Sequence, residues 1–83
     1  MSNIIEIVLY GVRFSYEHDC VEEDNDNPED FGVYVRVQEE PDFAPLQWQE
    51  DLPTHAEAEC YALGLQSVLN VPIIDRFAIH NQY

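Results

Sequence analysis

Residues 52–72, "LPTHAEAECYALGLQSVLNVP", carry the clearest conformational signal in the chain and limit the folds open to it. Thr54 and Glu57 have the capping-box spacing, in which the Thr hydroxyl accepts from the amide of residue 57 and the Glu carboxylate returns to residue 54. Ala58, Tyr61, Ala62, Leu65, Val68 and Leu69 recur at helical spacing and form one apolar stripe. Asn70 suits a left-handed stop, and Pro72 forbids continuation. A helix is therefore predicted over about residues 55–69, with one face to bury.

The rest of the chain reads as strands and turns. "IIEIVLYGVRFSY" (4–16) is rich in Ile, Val, Tyr and Phe, which suit a pleated surface. From Tyr10 it alternates, with Tyr10, Val12, Phe14 and Tyr16 on one side and Gly11, Arg13 and Ser15 on the other. Gly11 stands where the pattern changes and predicts a bulge. "FGVYVRVQ" (31–38) turns Phe31, Val33, Val35 and Val37 inward and Tyr34, Arg36 and Gln38 outward. "LQWQ" (46–49) reads as a short strand with Leu46 and Trp48 on one face, and "IIDRFAI" (73–79) as a last strand. The expected fold is α+β, a single domain over 1–83. Its order is strand, strand, strand, helix, strand: an antiparallel sheet of three to four strands with the helix on one face. Arg13, Arg36, Tyr34 and Gln38 are expected on the other face.

Charge is the strongest functional signal. Seventeen Asp and Glu face three basic residues, Arg13, Arg36 and Arg76; lysine is absent and the formal net charge is −14. Such a balance argues against phosphate contact with DNA or RNA, which relies on clustered Lys and Arg, and against an anionic membrane surface. It favours a cationic partner. "CVEEDNDNPED" (20–30) holds six carboxylates in eleven positions without a basic residue, and is expected as an acidic loop at a hairpin tip. "EEPDFAP" (39–45) supplies a second acidic turn at the opposite end of the sheet, and Glu50 and Asp51 a third acidic segment before the helix.

Metal and catalytic chemistry find little support in the spacings. "DNDNPED" lacks the glycine at the sixth position and the glutamate at the twelfth that a calcium loop requires. His18 with Cys20, and His55 with Cys60, do not have zinc-ligand spacing. On a helix, positions 55 and 60 lie roughly 140° apart, so they do not pair as base and nucleophile. A thiol at Cys20 among carboxylates is in the wrong environment for a reactive thiolate. No phosphate-cradling glycine loop or Gly-x-Ser-x-Gly elbow occurs. The expectation is a non-enzymatic protein with no cofactor and no metal. "MSNIIEIVLY" lacks a basic n-region and a small-residue cleavage site, so a cytoplasmic protein with two free thiols is expected.

In composition and size, with "CVEEDNDNPED", "QEEPDF" and "QED" in 83 residues, the chain resembles a functional class: the small acidic inhibitors of phages and mobile elements, among them anti-CRISPR proteins and DNA mimics. The resemblance implies blocking a nucleic-acid-binding effector without chemistry. Residues 31–69 are also similar to HicB-like antitoxins, in which strands lead through "DLP" to a threonine-headed acidic helix start. That similarity implies neutralising a basic RNA-binding toxin.

The expected partner is thus a basic nucleic-acid-binding protein or effector complex, with neither nucleic acid nor membrane contacted directly. The residues expected to bind it are Glu22, Glu23, Asp24, Asp26, Glu29 and Asp30, supported by Glu39, Glu40 and Asp42. Tyr34 and Arg36 are expected to add contacts that charge alone lacks, since Tyr and Arg are favoured at binding hot spots. The competing readings are solvated loops that aid solubility, and a self-assembling module that dimerises through a strand edge.

Overall fold

In the computed structural model, which describes residues 3–82, the chain runs β1 (Asn3–Ser15), β2 (Cys20–Glu23), β3 (Asp30–Gln38), β4 (Leu46–Leu52), α1 (His55–Leu69), β5 (Ile73–Asp75) and α2 (Arg76–His80). The expected class is present: an α+β arrangement with one main helix on a largely antiparallel sheet. Two elements were not expected. The first four residues of the acidic stretch are themselves a strand, β2, and the last apolar run divides into β5 and α2. Asp75 causes that division: its Oδ1 accepts from the Ala78 amide at 2.9 Å and caps a helix where a strand was predicted.

β1 is the centre of the sheet. Along one edge it pairs antiparallel with β3, Leu9 opposite Val33 and Gly11 opposite Phe31. β3 pairs in turn with β4. The other edge of β1 is shared: β5 runs parallel to Ile7–Leu9, and β2 pairs antiparallel with Val12–Ser15. Ile7, Leu9, Val33, Val35 and Val37 are buried on one face, against Ala58 and Ala62 of α1. The two alanines let the helix approach closely. Each large aliphatic side chain buried there contributes about 1.5–3 kcal/mol.

The ends of α1 follow the sequence signals. Thr54 accepts from the Glu57 amide at 3.2 Å, and Asn70 is left-handed at φ 56°. The return bond from the Glu57 carboxylate is not made among the described residues. Val68, assigned to the apolar stripe, is 80% exposed; it lies at the stripe's margin, where the sheet no longer reaches.

The Gly11 expectation changes. The register shift in β1 lies between Ile4 and Glu6, and glycine at 11 serves a close approach instead. β2 ends beside Val12 on one edge of β1, and β3 begins opposite Val12 on the other. Residues 24–29 must therefore cross β1, and they do so on the helix side. A Cβ at Gly11 would lie 2.6 Å from the Asp24 carbonyl oxygen and 2.8 Å from Pro28 Cβ. Only glycine admits the crossing chain there. Because the strand alternates without interruption from Ile7, Arg13 also points to this side and donates to the Asn27 carbonyl at 3.1 Å. Tyr10, Val12 and Phe14 occupy the helix-free face, the reverse of the expected assignment for this half of β1.

Candidate functional site

The carboxylates of residues 20–30 are not a loose solvated loop. Asp24 Oδ1 accepts from the amides of Asp26 and Asn27 at 3.1 and 2.9 Å, which folds the crossing segment into a side-chain-capped turn. The Asp24 amide donates to the Gly11 carbonyl at 2.8 Å, the Gly11 amide to Asn25 Oδ1 at 2.8 Å, and the Glu29 amide to the Val12 carbonyl at 2.8 Å. The two bonds at Gly11 satisfy the edge of β1 between β5 and β2, where no strand does, and the Glu29–Val12 bond extends the pairing on the β3 edge. Glu29 accepts from the Phe14 amide at 2.9 Å. Glu22 pairs with His18, Glu23 with Arg76 at 2.7 Å, and Asp26 with His80 at 2.7 Å. Part of the negative charge expected to stand unpaired is matched by Arg76, distant in sequence, because α2 wraps back onto the crossing segment; Asn81 donates to the Asn25 carbonyl at 2.9 Å.

Other carboxylates have no structural duty. Among the described residues, the side chains of Glu17, Asp19, Asp30, Glu39, Glu40 and Asp42 form no hydrogen bond or ion pair. Glu39, Glu40 and Asp42 are exposed in the turn between β3 and β4, which the Glu40–Phe43 bridge closes. The nine residues of β3 separate that turn from Asp30 by about 26 Å at 3.3 Å per residue. The structure thus gathers Glu22, Glu23, Asp24, Asp26, Glu29 and Asp30 at one end of the sheet and Glu39, Glu40 and Asp42 at the other. It does not bring the two groups together.

Tyr34 and Arg36 lie between these ends on the helix-free face, half-buried. Arg36 Nε donates to Glu6 at 2.9 Å, and its Nη1 to the Ala44 carbonyl at 2.7 Å, so its charge is already engaged. The Tyr34 ring lies over Gly32, where a Cβ would stand 2.6 Å from it, and stacks on Tyr10 with centroids 4.6 Å apart. On the other side of Tyr10, the Arg76 guanidinium carbon sits 5.3 Å from the ring centroid. Burial raises the Tyr34 hydroxyl well above the ordinary tyrosine range; its hydrogen bond with Tyr10 and the charges of Asp51 and Glu23 act in the same direction.

The same face carries Trp48, opposite Tyr34 on β4 and 59% exposed. β4 has a register shift at Gln49, since Glu50 pairs with Val33 but Trp48 with Tyr34. Without that bulge, residues 48 and 51 would point to opposite faces. With it, the Trp48 indole donates to Asp51 Oδ1 at 2.9 Å. Farther along, exposed Tyr16 packs edge-on against Phe14 at 4.9 Å, and Phe14 is opposite exposed Val21. The helix-free face is thus an aromatic surface edged with carboxylates.

A third cluster joins α1 to β5. His55 Nε2 lies 2.7 Å from Asp75 and its Nδ1 3.3 Å from Glu59, three groups with metal-ligand chemistry within 4.8 Å of one another. Each ring nitrogen already faces a different carboxylate, and one imidazole gives a single ion only one of them. With Asp75 also capping α2 and Phe77 packed 4.9 Å from the imidazole, the cluster ties α1 to the last strand and helix. Cys60 is exposed, as is Cys20, and both are free thiols.

Sequence reasoning missed the Tyr10–Arg76 stack, the Trp48–Asp51 pair and the His55–Asp75 bond. Asp at the end of "IID" was a readable cap signal; nothing local reveals the bulge at Gln49. Among the described residues, no helix is long and apolar enough to cross a membrane. The chain matches no protein-family model, no curated protein and no solved structure.

Proposed function

We propose that this protein is a non-enzymatic inhibitor that occupies the basic nucleic-acid-binding surface of a partner protein or effector complex, in the manner of the anti-CRISPR and DNA-mimic class. The observation that carries the reading is the density and spread of negative charge. Fourteen net charges lie on a body whose longest extent is 35 Å, about 0.4 per ångström. B-DNA carries one per about 1.7 Å, or about 0.6 per ångström. The free carboxylates Asp30 at one end and Glu39, Glu40 and Asp42 at the other hold part of that charge about 26 Å apart along β3. A basic groove releases anions and water on meeting such a surface, and the net charge steers the encounter.

The test is capture from a nuclease-treated bacterial lysate with tagged protein, eluted by a salt gradient. Retention of a nucleic-acid-binding protein that leaves the column as salt rises and is also displaced by duplex DNA or RNA supports the reading. Retention of no such protein, with the chain eluting at the mass of a self-assembly, sinks it. The identity of the captured protein also separates an effector complex from a basic toxin, the partner implied by the antitoxin resemblance.

A further inference from the structure

The helix-free face contains one occupied cation site and one of the same chemistry without a cation. In the occupied site, Arg76 places its guanidinium 5.3 Å from the centroid of the Tyr10 ring while Nη2 meets Glu23 at 2.7 Å. An aromatic face and a carboxylate together hold an arginine, through ring quadrupole and charge-assisted hydrogen bond. One strand over, Tyr34 is stacked on Tyr10, Trp48 is opposite Tyr34, and Asp51 accepts from the Trp48 indole through Oδ1. That bond fixes the carboxylate beside the exposed indole and leaves Oδ2 without a partner among the described residues. None of the three arginines of this chain reaches it: Arg13 bonds Asn27, Arg36 bonds Glu6 and Ala44, and Arg76 bonds Glu23.

We propose that Tyr34, Trp48 and Asp51 form a receptor for an arginine side chain of the basic partner. The inference rests on the proposed function for the partner's charge, and goes beyond it in assigning the contact to one place and one side-chain chemistry. An aromatic sheet face edged with Lys or Arg suits nucleic-acid bases and phosphates. Here Glu6 and Glu23 on the same face are matched by Arg36 and Arg76, and Asp51 is the carboxylate beside the rings with no arginine partner, so the local charge favours a cation over phosphate. Arginine is preferred to lysine because its planar group stacks on a ring and bonds a carboxylate in one pose. The bulge at Gln49 places Trp48 and Asp51 on one face. The receptor also lies between the two acidic ends, where a partner lying along the sheet passes over it.

Trp48 is the single tryptophan, so its fluorescence reports on the site alone. The experiment titrates the protein with nona-arginine and, separately, nona-lysine at low salt, reading Trp48 emission and calorimetric heat. The proposal expects a saturable emission change with nona-arginine, and a weaker affinity for nona-lysine. Asp51→Asn weakens nona-arginine about tenfold, from loss of one charge-assisted bond. Trp48→Phe, followed by calorimetry, weakens it as well. Neutralising Glu39, Glu40 and Asp42 together removes three charges but costs less than Asp51→Asn.

Calorimetric binding with no change at Trp48, or losses that follow only the number of charges removed, overturns the receptor and leaves the acidic-inhibitor reading standing. Equal affinity for the two peptides overturns the arginine assignment. Absence of binding to either peptide at low salt overturns the receptor and the inhibitor reading together.

Discussion

Gly11→Ala tests the crossing of residues 24–29 over β1, on which the placement of the acidic cluster depends. The added Cβ would stand 2.6 Å from the Asp24 carbonyl oxygen and 2.8 Å from Pro28 Cβ, backbone and ring atoms with little freedom to yield. Overpacking of this kind costs about 1–3 kcal/mol. Lifting the segment away also strains two bonds of 2.8 Å, Asp24 amide to Gly11 carbonyl and Gly11 amide to Asn25, each worth about 0.5–1.5 kcal/mol. The combined loss is about 2–6 kcal/mol, against a total stability of about 4–12 kcal/mol for a chain of this length. Thermal unfolding followed by circular dichroism should show Tm lowered by about 10 °C or more, at 4–8 °C per kcal/mol. Gly64→Ala is the control. Gly64 is exposed within α1, and a Cβ there meets nothing within 4 Å, so alanine should stabilise by about 0.5–1 kcal/mol. A Gly11→Ala protein that melts within about 3 °C of the parent would mean that the segment does not lie on Gly11.

Three further outcomes are expected. The fold favours neutral Tyr34, whose raised hydroxyl leaves the folded state holding its proton after the unfolded state has begun to lose its own. Stability is therefore intact below about pH 10, the ordinary tyrosine range, and falls as pH rises beyond it; Tyr34→Phe should remove much of that fall in urea titrations at alkaline pH. Self-repulsion from the −14 charge should make Tm rise as sodium chloride shortens the screening length from about 10 Å at 0.1 M toward 3 Å at 1 M, and a Tm lowered by salt would contradict this. Reversing Glu39, Glu40 and Asp42 to lysine should leave Tm within a few degrees, since these carboxylates hold nothing in the fold, and should weaken partner capture and flatten its salt dependence. Loss of fold in that variant, seen by circular dichroism, would refute their assignment as free charges.

The parts of the structure legible in the sequence are those set by local chemistry. Thr54, Asn70 and Pro72 bound α1 without help from the rest of the chain, and "FGVYVRVQ" alternates cleanly because one face of β3 is core. What was not legible depends on distant partners. β2 is four residues with two glutamates, and only its pairing with Arg13 and Phe14 makes it a strand. Gly11 was recognised as exceptional, but both a bulge and a close approach call for glycine, and only the route of residues 24–29 decides between them. Trp48 and Asp51 are three apart, which in an unbroken strand separates them; the bulge that unites them has no signature in "LQWQED". The acidic residues divide into structural and free carboxylates by contacts with His18, Arg76 and His80, none of which spacing could assign. Charge reversal at Glu22, Glu23 and Asp24 would therefore disturb the fold as well as the surface, and Glu39, Glu40 and Asp42 give the cleaner test.

The most direct test of the proposed inhibition is competition on the captured partner. A labelled nucleic acid bound to that partner is followed by fluorescence anisotropy while this protein is added. Full release of the nucleic acid at stoichiometric protein, requiring more protein as salt is raised, is the predicted result. Anisotropy that holds or rises as a ternary complex forms would contradict occupation of the nucleic-acid surface.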